Sequence, residues 1–153
     1  MSYNVKIFWK KNIDEAFVDN KYSRSHTWVF DGGIELVASS SPHVVPLPLS
    51  NEFAVDPEEA FIAALSSCHM LWFLSIAAEK NYIVESYDDN AEGVLGKNED
   101  GKLAMTRVTL KPKVNFGNNP APTRDQVDEL HCLAHEKCFI ANSVKTKITI
   151  VPI

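Results

Sequence analysis

Three cysteines and five histidines carry most of the nucleophilic and metal-binding capacity of this chain of 153 residues. Cys68 stands out because it lies in the middle of the most apolar stretch, bracketed by Ser66, Ser67 and His69. A thiolate is a nucleophile and a metal ligand, whereas a buried, protonated thiol is inert and behaves as a small hydrophobe. Burial penalises the charged form, so a reactive Cys68 requires a cation within hydrogen-bonding reach. His69 is a poor source for it, since consecutive residues on a helix point about 100° apart, which also argues against a papain-like Cys-His dyad. Cys68 is therefore either core filler or a thiol activated from elsewhere in the chain.

A second chemistry is offered by the segment from His131 to Cys138, where His131, His135 and Cys138 follow at spacings of four and three on one helix face. These are zinc-compatible ligand types, but a closed tetrahedral site needs a fourth ligand, and no CxxC or HxxxH partner stands elsewhere. The alternative is a face solvated through its His and Glu side chains. Cys132 has no partner motif and reads as packing.

The elements that must position these residues are legible as patterns. Val5 to Trp9, Thr27 to Phe30 and Ile34 to Val37 are β-rich, and Asp31-Gly32-Gly33 is a turn signal between the last two, which predicts a hairpin or meander. Pro42, Pro46 and Pro48 break the pattern, so the stretch from Ser39 to Asn51 is expected to be an irregular loop. Asp56 as N-cap, Pro57 at the first helical position and Glu59 three residues after the cap announce a helix running to about Lys80 or Asn81. Phe61, Ile62, Leu65, Leu71, Trp72, Phe73, Leu74 and Ile76 occupy nearly every face of it, which predicts a central, buried helix. Strands are expected at Ala91 to Leu95, Leu103 to Val114 and Val144 to Val151. A second helix opens on the capping box Thr123-Arg124-Asp125-Gln126 and carries Val127, Leu130, Leu133 and Ala134 as its apolar stripe down to Cys138. The fold class is α+β, in a single domain over residues 1–153.

Composition narrows the function classes. A formal net charge of −5, from 20 acidic and 15 basic residues without blocks of one sign, gives no footprint for nucleic acid or an anionic membrane. The N-terminus shows no signal-peptide pattern, and the segment Ala60 to Ala78 is broken by Ser66, Ser67, His69 and Ser75, so a cytoplasmic protein is expected. In a reducing compartment an odd number of cysteines fits free, catalytic or metal-bound thiols better than a disulfide framework.

The run Asp56-Pro57-Glu58-Glu59-Ala60-Phe61-Ile62-Ala63-Ala64-Leu65-Ser66-Ser67-Cys68 resembles the opening of the osmotically inducible and organic hydroperoxide resistance (OsmC/Ohr) proteins, in which a Pro-Glu start leads into a helix rich in small residues ending in Ala/Ser-Cys. A second signature of that family, a Cys-Pro near the end of a later helix, is similar to Cys138-Phe139, with Phe139 departing from the usual Pro. The resemblance runs from about Ser23 to Val151. It implies β-sheet segments wrapped around a long buried helix in an intertwined homodimer, and a cysteine-based, peroxiredoxin-like peroxidase without a cofactor. Its substrate would be an organic hydroperoxide, and its reductant an external dithiol or redox protein. By the same resemblance Cys68 is the peroxidatic thiol and Cys138 the one that resolves it into a disulfide. Arg24, from the N-terminal strands, and Glu58 would hold the thiolate. Arg stays charged, so a guanidinium beside Cys68 would offset the desolvation that otherwise keeps the thiol neutral. The unspecialised alternatives are an exposed Arg24 and a Glu58 that serves the helix dipole.

Phe53, Phe61, Trp72 and Phe139 are candidates for an apolar substrate wall or for plain core. Glu58 and Cys68 are ten residues apart on one continuous helix, roughly 15 Å along its axis, too far for a glutamate side chain. If both serve one site, a partner subunit related by a two-fold axis would supply Glu58. Two other classes stay open from the residues alone: a metal-binding protein using His131, His135 and Cys138, and a non-catalytic dimeric ligand-binding domain.

Overall fold

Turn chemistry and alternation build the first forty residues into a meander. The computed structural model describes residues 1–117 and 121–153, and divides into two compact units, Met1–Ala60 and Phe61–Ile153. In the first, β1 (Val5–Phe8), β2 (His26–Phe30) and β3 (Glu35–Ala38) form an antiparallel sheet in that order. Gly33 adopts φ +84° in the β2–β3 turn, a region that favours glycine, and the Phe30 N–H donates to the Ile34 carbonyl at 2.9 Å. The long β1–β2 connection is organised by its own side chains. Trp9, Phe17 and Tyr22 cluster with ring centroids 4.7 to 5.9 Å apart, and Trp9 Nε1 donates to the Ser23 carbonyl at 2.8 Å. After β3 the proline-containing loop is tied at its ends: Ser39 N–H donates to the Val55 carbonyl and Val55 N–H to the Val37 carbonyl. The chain thereby arrives at Asp56.

There α1 (Pro57–Glu79) starts as its sequence predicts. The Asp56 carboxylate accepts from the Glu59 N–H at 2.8 Å, and the Glu59 carboxylate accepts from the Asp56 N–H at 3.4 Å. It ends where Asn81 turns left-handed at φ +62° and the Tyr82 N–H reaches back to the Ala77 carbonyl.

The second unit pairs β4 (Val84–Asp89) with β7 (Pro112–Phe116), and builds a separate sheet from β5 (Glu92–Lys97), β6 (Leu103–Leu110) and β8 (Lys147–Ile150), with β6 and β8 parallel. The strand expected over Leu103 to Val114 is two strands in two sheets. The break is at Lys111, whose N–H donates to the Asp89 carboxylate at 2.6 Å, just before Pro112. β4 has no counterpart among the sequence expectations, because its exposed Glu85, Ser86 and Asp88 blur the alternation. α2 (Arg124–Lys137) has the predicted capping box at Thr123 and Gln126.

Two apolar clusters hold this unit together. Phe73, Ile76 and Ala77 of α1 are buried with Leu130 and Ala134 of α2, while Leu65 is buried with Val108 and Leu110 of β6. Each large side chain so buried contributes about 2 kcal/mol of transfer free energy. All of it comes from one side of α1, the stripe Leu65, His69, Phe73 and Ile76. The expectation of burial on nearly every face is thus corrected for the single chain: Ala63, Ala64, Ser67, Leu71, Ser75 and Ala78 are exposed, Leu71 to 60%. By length and mean hydropathy, 1.7, α1 is apolar enough to cross a membrane, yet the stripe it buries is an ordinary intramolecular core.

Candidate active site

Cys68 sits in the middle of α1, half-buried, three residues beyond Leu65. Cys138 is the C-cap of α2, where the backbone leaves the helix at φ −68°, ψ 111°, and it is 1% exposed. A tight turn follows. The Asn142 N–H donates to the Cys138 carbonyl at 3.0 Å, the Asn142 side-chain amide donates to the Glu136 carbonyl at 2.9 Å, and the Ser143 hydroxyl donates to the Phe139 carbonyl at 2.7 Å. The Ala141 N–H points at the Cys138 sulfur at 3.4 Å.

The thiols of Cys68 and Cys138, seventy positions apart in sequence, are brought close enough that Cys68 acts on the Cys138 thiol, and both are free. Burial, and next the hydrogen bond to Cys68, push the Cys138 thiol up to about 11, against the opposing pull of the Ala141 and Ile140 N–H groups. Cys138 is therefore protonated at neutral pH.

Trp72 lies one helical turn beyond Cys68, and Phe139 directly follows Cys138. Their rings meet edge to face at 5.6 Å and 84°, with the Lys137 ammonium 5.2 Å from the Trp72 ring. Phe139 is 67% exposed, an apolar surface beside the thiol pair. Of the other wall candidates, Phe61 packs with the Leu65 cluster and Phe53 stands in the first unit, exposed. Cys132, expected to be packing, is instead exposed on α2, because it follows the buried His131 and faces away from α1.

The histidines form a feature that sequence reasoning missed. His69 Nε2 and His131 Nδ1 are 3.0 Å apart, the rings nearly parallel and both buried, with the Phe73 ring 4.4 Å from His131. Desolvation first, then the charge of His131 and of His135, holds His69 down at about 3. Desolvation likewise lowers His131 to about 4, opposed by Asp128 and Asp89. Both are neutral at pH 7, so one ring donates its N–H to the other. The signal was present: His69 stands four residues after Leu65 and four before Phe73, on the stripe that points inward. His131 turns to His69, and among the described residues no three His, Cys, Asp or Glu side chains cluster as a metal site.

Arg24 and Glu58 belong to the first unit. The Arg24 guanidinium donates to the Tyr22 carbonyl and, at 3.0 and 2.8 Å, to the carbonyl and side-chain oxygens of Asn20, and it stacks on the Tyr22 ring at 3.7 Å. Its backbone N–H donates to the Leu49 carbonyl. Among the described residues no ion pair joins Arg24 to Glu58. Glu58 is half-buried in the first turn of α1, which runs unbroken past Cys68.

Known proteins agree with this architecture. A solved OsmC-like protein of unknown function from Vibrio cholerae is 58% identical, with a TM-score of 0.98, covering 100% of this chain and 99% of its own. The fold extends to organic hydroperoxide resistance proteins of Elizabethkingia anophelis and Bacillus subtilis. The first is 17% identical with TM-score 0.68, covering 99% of this chain and 95% of its own. The second is 16% identical with TM-score 0.65, covering 100% and 98%. No curated protein matches the sequence at a significant level. The family model described as OsmC-like protein matches residues 50–152, a span that includes Glu58, α1 with Cys68, and α2 with Cys138. This chain belongs to the OsmC-like protein family.

Proposed function

We propose that this protein is a thiol-dependent peroxidase that reduces organic hydroperoxides, with Cys68 as the attacking thiol and Cys138 as its resolving partner. The observation that carries the reading is the meeting of these two thiols, one half-buried and one fully buried, from the middle of α1 and the end of α2. The Cys68 thiolate attacks the terminal oxygen of ROOH, the O–O bond breaks, and after proton uptake ROH leaves with Cys68 as a sulfenic acid. Cys138 condenses with that acid, its sulfur forming the S–S bond as water departs, and an external dithiol restores both thiols. The exposed Phe139 ring beside the pair favours a substrate with an apolar body, and two proteins of the same fold are organic hydroperoxide resistance proteins.

Activation of Cys68 is assigned to Arg24 and Glu58 through assembly. The exposed apolar side of α1, with Leu71 at its centre, the exposed Val5, Ile7 and Val37 of the β1–β3 sheet and Ile34 in its β2–β3 turn support a homodimer, in which the partner's surface covers what a single chain leaves open. Such a protein would work in the cytoplasm, where a dithiol can turn it over. Stopped-flow oxidation of the reduced protein by cumene hydroperoxide and by hydrogen peroxide tests the reading. The expected result is fast second-order consumption of the organic peroxide with loss of two thiols per chain. Thiol loss no faster than that of free cysteine would reject it.

A further inference from the structure

Cys68 lies on a helix whose inward stripe is mostly apolar, and apolar contacts alone hold a helix in place without closely fixing its rotation. Directional bonds at Ser66 and His69, on either side of the thiol, fix it. We propose that Asp89 is a positioning residue for Cys68: its carboxylate, oriented from the sheet side, holds the Ser66 hydroxyl and so sets the rotation of α1 at the thiol. This rests on the peroxidase reading for its place in catalysis, but its test needs no peroxide.

Asp89 closes β4, opposite Pro112 in the register of the β4–β7 pair. Its Oδ1 accepts the Lys111 N–H at 2.6 Å, at the break between β6 and β7, so the sheets orient the carboxylate independently of the helix. Its Oδ2 accepts from the Ser66 hydroxyl at 2.5 Å, a bond to a charged acceptor. A serine inside a helix ordinarily turns its hydroxyl to solvent or to the carbonyl four residues back. Ser66 instead crosses to a residue twenty-three positions away. The Lys111 ammonium goes to Glu92 at 2.7 Å, and among the described residues no cation pairs with Asp89. An O–H and an N–H donor therefore hold the carboxylate, one from the helix and one from the sheet. Ser66 stands two residues before Cys68, and His69, bonded to His131 of α2 at 3.0 Å, stands one after it. A helix held by one directional bond can pivot about it; held by two bonds to different elements, it cannot. The consequence at the thiol is large, because a rotation of about 20° carries a side-chain atom roughly 5 Å from the axis by about 2 Å, the length of an S–S bond. Asp89 takes no proton and touches neither sulfur in this account; it acts through Ser66.

The Cys132→Ser protein, equilibrated with mixtures of reduced and oxidised glutathione, quenched in acid, alkylated and mapped by mass spectrometry, gives the effective concentration of Cys68 toward Cys138. In that background Asp89→Ala and Ser66→Ala should each lower it about fivefold or more, and the double variant no further than either alone, because both remove the same bond. Asp89→Asn keeps an oxygen for the Lys111 N–H and gains an amide that can donate to the Ser66 oxygen, so it should stay within about threefold of the parent. A carboxylate that only supported the fold would lower the urea midpoints of both redox forms alike and leave the ratio of folded disulfide to folded dithiol unmoved. An Asp89→Ala value equal to the parent's, in a protein folded by circular dichroism, overturns the proposal; so does an Asp89→Asn value as low as that of Asp89→Ala. If Asp89→Ala does not fold, Ser66→Ala, which leaves the contact between Asp89 and Lys111 in place, decides by itself. A parent that forms no Cys68–Cys138 disulfide overturns this proposal and the resolving role of Cys138 together. The expected losses combined with no oxidation by cumene hydroperoxide leave Asp89 in its role and reject the peroxidase reading instead.

Discussion

The buried His69–His131 pair makes acid stability calculable. Histidine in the unfolded chain takes up its proton near 6.5, whereas in the fold the two rings resist protonation down to about 3 and about 4. Above pH 6.5 neither state binds these protons, and the pair contributes no pH dependence. As pH falls below 6.5 the unfolded state gains two protons that the folded state excludes, so stability falls; below about 3 both states are protonated and the loss stops. Each excluded proton weakens the fold by about 1.4 kcal/mol per pH unit, together about 3 kcal/mol per unit, or roughly 4 kcal/mol between pH 7 and pH 5. That is a large share of the 5–15 kcal/mol typical of a domain, and it precedes the main titration of ordinary carboxylates. Urea unfolding of the reduced protein at pH 7.5, 6.0 and 5.0 should show the midpoint dropping steeply across this window. A His69→Phe/His131→Leu variant, which removes both rings and leaves no orphaned imidazole, should flatten it. Imidazole proton shifts in the native protein give a reading that needs no variant: two of the five histidines should show no titration above about pH 5. A wild-type midpoint unchanged from pH 7.5 to 5.0, or five histidines titrating near 6.5, would refute the reasoning.

Four further outcomes are expected. With its thiol raised from an ordinary 9.0 to about 11, Cys138 should hold about a hundredfold less thiolate at neutral pH than an ordinary cysteine, so iodoacetamide should label it far more slowly than exposed Cys132 and faster only as pH climbs toward 11. Equal labelling of the two at pH 7, read by peptide mapping, would contradict the burial account. Cys68→Ser should abolish hydroperoxide turnover while Cys132→Ser leaves it near the parent rate; equal losses would displace Cys68 from its role. Arg24→Met should slow alkylation of Cys68 at neutral pH about tenfold or more if its guanidinium serves the thiolate, and an unchanged rate would remove Arg24 from the site. Mixing inactive Glu58→Gln with inactive Cys68→Ser subunits should restore activity, because a heterodimer would contain one intact site; exchange without recovery would reject a shared site.

How far the sequence could be read depended on the range of the interactions involved. Local signals were legible: the capping boxes at Asp56 and Thr123 fixed two helix starts, and Gly33 marked its turn, because each is decided within four residues. β4 and the break at Lys111 were not, since a carboxylate twenty-two residues away, Asp89, takes the Lys111 N–H that would have continued the ladder. The burial of α1 was overread for a related reason. Residue composition around the helix reports how much apolar surface exists, not whether it is covered within the same chain.

The site itself divides along the same line. The resemblance to the OsmC/Ohr pattern nominated the thiol pair, but nothing in a linear pattern places Cys68 against Cys138 or His69 against His131. Both pairs are contacts between α1 and α2. Cys68 and His69 are neighbours on the first helix, and His131 and Cys138 stand two turns apart along the second and at its cap. The hydrogen bond between the two buried, neutral imidazoles is directional and constrains the register of the helices, with His69 Nδ1 and His131 Nε2 buried without partners among the described residues. A slide of one helix would also break the His69–His131 bond, while in the observed register Cys68, the residue before His69, is carried toward Cys138. An apolar pair at those positions would pack in several neighbouring registers with little penalty, and the thiols would meet only part of the time. The buried polar pair thus links an expected acid sensitivity, which an apolar seam would lack, to the approach of Cys68 to Cys138.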